Sequence, residues 1–405
     1  MKGKSRIMLK KLRIKNFKGI KDLTIRFTPL TMLIGENSCG KSTVLQALDF
    51  LCNVATRDVD EYLKDRGWSF DEIKSQFASK SDYVEFVAVF EIDGESIIWQ
   101  FAINEQNDSW DIEEQISSEK ANTYYLSFGM SAEDYPINFS EFNMASSALK
   151  LLAVEGQLTL YECEEKYSPY LYSLKKFLVN SNSFELLSPH RMLSHQSRGK
   201  VKDMGKGGEK LSAYIHAMSS SKKSLLSKTV SEFIGYDVKI STSMKVHGWV
   251  EMFIEEKWAG STVKIKKKYI SEGLLRIIAF AVIVIDLKPT FQEYKELVMF
   301  DEIEDGINPN LAEKLIKSFK KTTCDSKKQI IVTSHSPVMV NYLEPEEVVY
   351  MWREETGKIR AKSLFSTVGM QETLDCFNPG EVWLNYSKAE ILELLNSSNQ
   401  EECDE

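Results

Sequence analysis

Apolar and polar residues change period along this chain, and the changes mark its elements. Leu9–Lys15 alternates apolar with basic residues, Leu23–Phe27 alternates again, and Leu30–Ile34 is a short apolar run ending at a glycine. Successive side chains of a strand face opposite ways, so these segments read as three strands. From Lys41 to Val54 the residues Val44, Leu45, Leu48 and Leu51 recur at helical spacing, which predicts strand, tight loop, helix. Val84–Ile92 and Ser96–Ile103 flank Asp93-Gly94, a pair that tolerates the positive φ of a type I′ turn and predicts an antiparallel hairpin. Further on, Ser183–Leu187, Val238–Ile240 and Val250–Ile254 read as strands. Gly205–Gly208 reads as a loop into a helix through Leu211, Ile215 and Met218. Gly273–Ile285 reads as a helix, and Leu297–Phe300 and Gln329–Thr333 as buried strands. Trp110–Asn182 is mixed in pattern and shows no heptads, which excludes long coiled-coil arms. The rhythm predicts an α/β fold with an antiparallel β subdomain and a partly helical insertion.

Three clusters carry candidate chemistry. Gly35-Glu36-Asn37-Ser38-Cys39-Gly40-Lys41-Ser42-Thr43 matches G-x-x-x-x-G-K-[ST] in the strand–loop–helix setting that motif needs. Its glycines let the backbone fold around a phosphate, the helix N-terminus offers about half a positive charge, and Lys41 adds a whole one. Ser42 supplies a magnesium ligand. Leu297–Phe300 leads into two consecutive carboxylates, Asp301 and Glu302. Because side chains alternate across a strand, the two are expected to point differently. Asp301 is assigned to the metal and Glu302 to the general base that activates the attacking water. The strand Gln329–Thr333 delivers His335 at its C-terminal end, ahead of Pro337, where open α/β sheets place their ligands. His335 is read as a γ-phosphate sensor.

Composition removes several function classes. The 405 residues are 43% hydrophobic, 27% charged and 11% aromatic, the proportions of a globular chain of one large or two modest domains. The 51 basic against 59 acidic residues give −8, which excludes a global polycation but leaves room for a local basic patch. Cys39, Cys52, Cys163, Cys324, Cys376 and Cys403 are scattered without C-x-x-C spacing, so neither a zinc site nor a disulfide framework is indicated, and a cytoplasmic setting is expected. The longest apolar run, Ile277–Ile285, is far short of the roughly 20 residues that span a bilayer. No N-K-x-D motif is present, which argues against a switch GTPase.

The order P-loop, Ser271-Glu272-Gly273 opening a helix, Asp301-Glu302, then His335 resembles the ABC-type ATPases of the SMC/RecF/OLD group. Leu12-Arg-Ile-Lys-Asn16-Phe17-Lys18-Gly-Ile20 resembles that group's N-terminal strand and turn. Glu302-Ile-Glu304-Asp305-Gly306-Ile-Asn308-Pro309 is similar to its E-P-E-x-x-L-H-P segment, with Ile303 and Asn308 replacing Pro and His. The resemblance implies an ABC-type P-loop ATPase head that uses ATP and Mg²⁺. Ser271, Glu272 and Gly273 would form the signature closing on the γ-phosphate held by another protomer, and Glu304-Asp305 would sit at the seam of a homodimer or higher oligomer. Gln100 would serve the loop linking the two lobes, and Arg191 resembles a recurrent Pro-x-Arg strand end. The expected organisation is an ATPase lobe with P-loop and β arm over 1–110, an insertion and helical lobe over 111–240, the signature, acidic and histidine segments over 241–355, and a docking segment with an acidic tail over 356–405.

Missing features narrow the relatives. A Toprim nuclease would need more than the fifty residues after Met351, so no intrinsic nuclease is expected. What remains resembles stand-alone ATPase subunits of anti-phage systems such as Septu and PARIS, which implies a separately encoded effector nuclease and a DNA or phage-protein trigger. The alternatives are a RecF-like DNA-repair ATPase and, less in keeping with the signature, a transporter's nucleotide-binding subunit. Lys264, Lys266, Lys267 and Lys268 read as the wet face of a strand or a contact to DNA or phage protein. Trp383 and Leu384 read as facing a partner subunit or packing on their own domain.

Overall fold

The computed structural model describes residues 6–397 apart from 107–108, 119–122, 129–149, 152–159, 163–168, 186, 195–200, 202, 246–247, 288–294 and 327. The polar tail expected at the C-terminus lies outside the described residues from 398 onward. The chain divides into two compact units, Met1–Ser181 with Val349–Leu364, and Asn182–Val348 with Phe365–Glu405.

The first unit opens with β1 (Ile7–Phe17), β2 (Ile20–Arg26) and β3 (Leu30–Gly35). Alternation does what it predicts: Leu12 opposes Ile25 and Ile14 opposes Leu23 on the buried face, while Lys15 opposes Asp22 on the other. Helix α1 (Lys41–Val54) follows, then α2 (Val59–Arg66) and α3 (Phe70–Ile73). Phe50 anchors α1, its ring 5.9 Å from Phe17 and 5.7 Å from Phe86. The hairpin of β4 (Val84–Ile92) and β5 (Glu95–Gln106) turns at Asp93-Gly94 with φ of 54° and 85°, the two positive values of a type I′ turn. The antiparallel sheet continues through β6 (Ser109–Ser118) and β7 (Thr123–Phe128) to β8 (Lys150–Leu151), in the order β2-β1-β4-β5-β6-β7-β8. Helix α4 (Pro169–Val179) packs on α1.

The second unit begins with β9 (Ser181–Phe184), shorter and earlier than the expected Ser183–Leu187, and α5 (Pro189–Ser194). After α6 (Leu211–Ala217) and α7 (Ser220–Ile234), an antiparallel sheet forms from β10 (Val238–Met244), β11 (Val250–Trp258) and β12 (Ser261–Lys266). Helix α8 (Glu272–Asp286) is apolar on nearly every side and runs buried through the unit, as an all-round hydrophobic helix must. Strands β13 (Leu297–Phe300) and β14 (Gln329–Thr333), linked by α9 (Ala312–Ser326), pair in parallel with Phe300 opposite Val332. Phe300 ties the acidic strand end to its surroundings: its ring lies 5.5 Å from Phe184, 5.3 Å from Phe280 and 5.9 Å from Phe319. Removing that ring would cost about 3–5 kcal/mol. Helix α10 (Pro337–Val340) follows the His335 loop.

The chain then returns to the first unit for the antiparallel pair β15 (Val348–Arg353) and β16 (Ile359–Ser363), which complete the order β16-β15-β3. It ends in the second unit with α11 (Val368–Thr373), α12 (Pro379–Asn385) and α13 (Lys388–Ser397). Among the described residues no helix is long and apolar enough to cross a membrane.

Candidate active site

In the first unit, β3 ends at Gly35 and the loop to α1 is built on left-handed backbone. Gly35, Ser38 and Gly40 have φ of 139°, 62° and 96°. Gly35 also lacks room for a side chain, since a Cβ there would stand 2.1 Å from the Met351 carbonyl oxygen. The loop is therefore pressed against β15, and Arg353 Nε holds its crest by donating to the Ser38 carbonyl at 3.2 Å. Gly40 ends the loop as the N-cap of α1. Lys41 is buried at 5% exposure and curls back, its Nζ donating to the Gly35 and Glu36 carbonyls at 2.9 Å each. That ammonium is held over the loop it would neutralise when an anion enters. Cys39 Sγ lies 3.7 Å from Lys41 Nζ. Burial raises its thiol pKa even though Lys41 pulls the other way, so this is no activated thiolate. Glu36, Asn37 and Ser38 are exposed, and Ser42 and Thr43 are half-buried in the first turn of α1.

In the second unit, Asp301 and Glu302 lie just past the end of β13. Their divergence does not come from strand alternation, as expected, but from a kink: Glu302 has a φ of 49°. A non-glycine residue in the left-handed region carries roughly 1–2 kcal/mol of strain, and here the neighbouring strand over-determines it. The Glu302 N–H donates to Thr333 Oγ1 at 2.8 Å and the Ile303 N–H to the Thr333 carbonyl at 3.2 Å. The second bond gives a physical reason for Ile303 in place of the resembled proline, which has no N–H to donate. Thr333 Oγ1 in turn donates to Asp301 Oδ1 at 2.6 Å. Thr333 was not singled out from the sequence. The signal was available as a lone hydroxyl closing the run Ile330-Ile331-Val332.

His335, half-exposed, has its backbone N–H held by Glu304 Oε1. Glu304 Oε2 is buried without a hydrogen-bond partner. The segment Glu304-Asp305-Gly306 is also tied to α8. Arg276 Nη2 pairs with Asp305 Oδ2 at 2.6 Å, and a Cβ on Gly273 would meet the Gly306 carbonyl at 3.1 Å. Gly306 has a φ of 64°, and a Cβ there would stand 2.8 Å from Arg276 Nε. Ser271 caps α8, accepting from the Leu274 N–H at 3.3 Å, and leaves Glu272 exposed beside Gly273. Arg276 is a second residue missed from the sequence, hidden as the one charge in an apolar helix.

Other expectations are corrected. Gln100 lies in the middle of β5, opposite Val87 and Gln115 and 2% exposed, rather than in a linking loop. Arg191 lies in α5, not at a strand end, and its Cδ packs where a side chain on Gly207 would go. Lys264, Lys266 and Lys268 are exposed, but Lys267 is turned inward at 7% exposure, so it belongs to no wet face. Trp383 is half-buried and Leu384 is 68% exposed on α12.

Comparison with known proteins agrees with these motifs. A model of the "AAA ATPase domain" matches residues 8–190, and one of the "AAA domain, putative AbiEii toxin, Type IV TA system" matches residues 252–341. The solved SMC head bound to the C-winged helix domain of ScpA superposes with a TM-score of 0.56 at 14% identity, over 90% of this chain and 99% of that one. The OLD nuclease of Thermus scotoductus is 43% identical over 44 residues, 11% of this chain and 8% of that protein's length. The chain is thus an α/β P-loop protein with the fold of SMC heads, and it carries ATPase domains of the AAA type.

Proposed function

We propose that this protein is a Mg²⁺-dependent ATPase that assembles through composite ATP sites and reports its nucleotide state to a separately encoded effector, a nuclease in anti-phage defence. The observation that carries the hydrolytic part is the pair Asp301 and Glu302, fixed through Thr333 in a strained backbone, together with a P-loop whose lysine is already curled over its carbonyls. The donors fit the group. Mg²⁺ takes hard oxygen ligands, one or two carboxylates plus substrate phosphates, and Ser42 and Asp301 offer a hydroxyl and a carboxylate. No cluster of three or more His, Cys, Asp or Glu able to hold a metal occurs among the described residues, as suits an ion that enters with its nucleotide. When bound, the ion neutralises phosphate charge.

The protein's own residues supply the rest. The loop Glu36–Gly40 and Lys41 bind the phosphates. Glu302 accepts a proton from the attacking water, and His335 stabilises charge that develops on the γ-phosphate, so catalysis is positioning plus electrostatics. Ser271, Glu272 and Gly273 contact the nucleotide of a second copy, and the Arg276–Asp305 pair links that contact to the segment holding His335. The effector and its trigger, DNA or a phage protein, are inferred by family analogy. The transporter reading has no observation in its favour, whereas exposed Lys264, Lys266 and Lys268 keep a RecF-like DNA-binding ATPase as the second reading.

The test is the mass in solution of the purified chain with and without ATP–Mg²⁺, read beside ATP hydrolysis and plasmid nicking in the same samples. ATP-dependent assembly with hydrolysis and no nicking is expected. Nicking that survives purification and disappears in a metal-site variant would replace the regulator with a nuclease. Tight, salt-sensitive DNA binding that requires ATP would favour the second reading.

A further inference from the structure

The C-terminal segment touches the chain immediately after His335. Helix α10 starts two residues beyond that histidine, at Pro337, and its single turn closes by the Asn341 N–H donating to the Pro337 carbonyl at 3.2 Å. Gly380, at the second position of α12, is seated on this turn. Its N–H donates to Asn341 Oδ1 at 2.8 Å, so an amide that a helix start leaves unsatisfied is taken up by a side chain from α10. The approach is as close as backbone allows. A Cβ on Gly380 would lie 2.0 Å from the Pro337 carbonyl oxygen and 2.6 Å from Asn341 Oδ1. Gly380 has no positive φ, so proximity alone demands glycine here.

The segment carrying this glycine is itself packed. Asn378 and Glu381 form a capping box, Val382 is 1% exposed, and Ile391 and Leu395 of α13 are buried. The His335 loop is thus held from two directions, by Glu304 on its backbone N–H and by α12 through α10.

We infer that α12 is a brace for the histidine, with Gly380 and Asn341 as positioning residues for whatever His335 does to its ligand. The inference rests on the reading that His335 acts on the γ-phosphate during hydrolysis. A methyl group at position 380 must lift α12 or push α10, and any push on Pro337 reaches His335 through two peptide units. Misplacement by about 1 Å commonly costs a hundredfold in rate.

The test is steady-state ATP hydrolysis and equilibrium ATP binding by the full chain for wild type, His335→Ala, Gly380→Ala, Asn341→Ala and the double variant His335→Ala/Gly380→Ala. Gly380→Ala should lower kcat by about ten- to a hundredfold with ATP affinity within about twofold of wild type. It should add nothing on the His335→Ala background, since a brace has no effect once the braced group is gone. Asn341→Ala, which removes the hydrogen bond without a clash, should give a smaller loss of about three- to tenfold and decides the matter if Gly380→Ala does not fold. Full kcat in the folded single variants, or a further loss on the His335→Ala background, overturns the brace. Unchanged kcat in His335→Ala instead overturns the role of the histidine, and absence of hydrolysis in wild type overturns both.

Discussion

Thr333 Oγ1 donates to Asp301 Oδ1 at 2.6 Å while accepting the Glu302 N–H at 2.8 Å, so one hydroxyl on β14 orients two consecutive acids past β13. A hydroxyl has one proton to give and lone pairs to accept with, and both capacities are used here. Thr333→Val keeps the shape and removes both bonds. It should lower kcat by about ten- to a hundredfold, with a loss of roughly 1–3 kcal/mol in stability from the stranded Glu302 N–H. Steady-state hydrolysis and urea unfolding of the same preparation check this, whereas Thr333→Ser should stay close to wild type.

Glu302→Gln preserves side-chain size and removes the base. ATP binding should be unchanged and turnover should fall by about two to four decades. Single-turnover hydrolysis with excess protein isolates the chemical step, and wild-type turnover in this variant would take Glu302 out of its assigned role.

Gly306 and Arg276 make a steric prediction. Gly306→Ala sets a side chain on a backbone with a φ of 64° and 2.8 Å from Arg276 Nε. A destabilisation of about 1–3 kcal/mol follows, and ATP-dependent assembly should weaken because the Arg276–Asp305 pair is displaced. Asp305→Asn should weaken assembly without the steric cost. Mass in solution against ATP concentration separates the two.

Lys267 makes a pH prediction. Burial lowers its pKa from the ordinary 10.5 to about 8, with Glu251 acting in the opposite direction. Between those values the unfolded chain holds a proton that the folded chain has lost, so stability rises with pH. The melting temperature of wild type should therefore climb between about pH 8 and pH 10 relative to Lys267→Met, in which this part of the profile should be flat.

Much of the fold was legible because its signals are local. The limits of α1 and β4 follow from periodicity and from the residues that stop it, and the Asp93-Gly94 turn needed only two residues. The strands β6 and β7 were not legible. Glu114, Gln115, Ser117 and Ser118 are buried in β6, so its polarity pattern contradicts its burial. Glu114 is satisfied by Trp99 Nε1 and the Leu160 N–H, partners remote in sequence. At the site, residue types and order were readable, but the roles of Thr333 and Arg276 depend on which strands and helices become neighbours. The Glu302 kink is set by the neighbouring strand in the same way. Gln100 went astray because one glutamine without its neighbours carries no sign of whether it lies in a strand or a loop.

The return of the chain to its first unit has a consequence for synthesis. Strand β3 and the loop after Gly35 emerge early, but the β15 backbone against which Gly35 is pressed, including the Met351 carbonyl and Arg353, comes more than 300 residues later. While the ribosome is still reading the intervening segment, β3 lacks the β15 neighbour it has in the finished protein. A nascent chain halted before residue 349 is expected to hold an unfinished anion loop, so phosphate-binding competence arrives near the end of translation, in one late step.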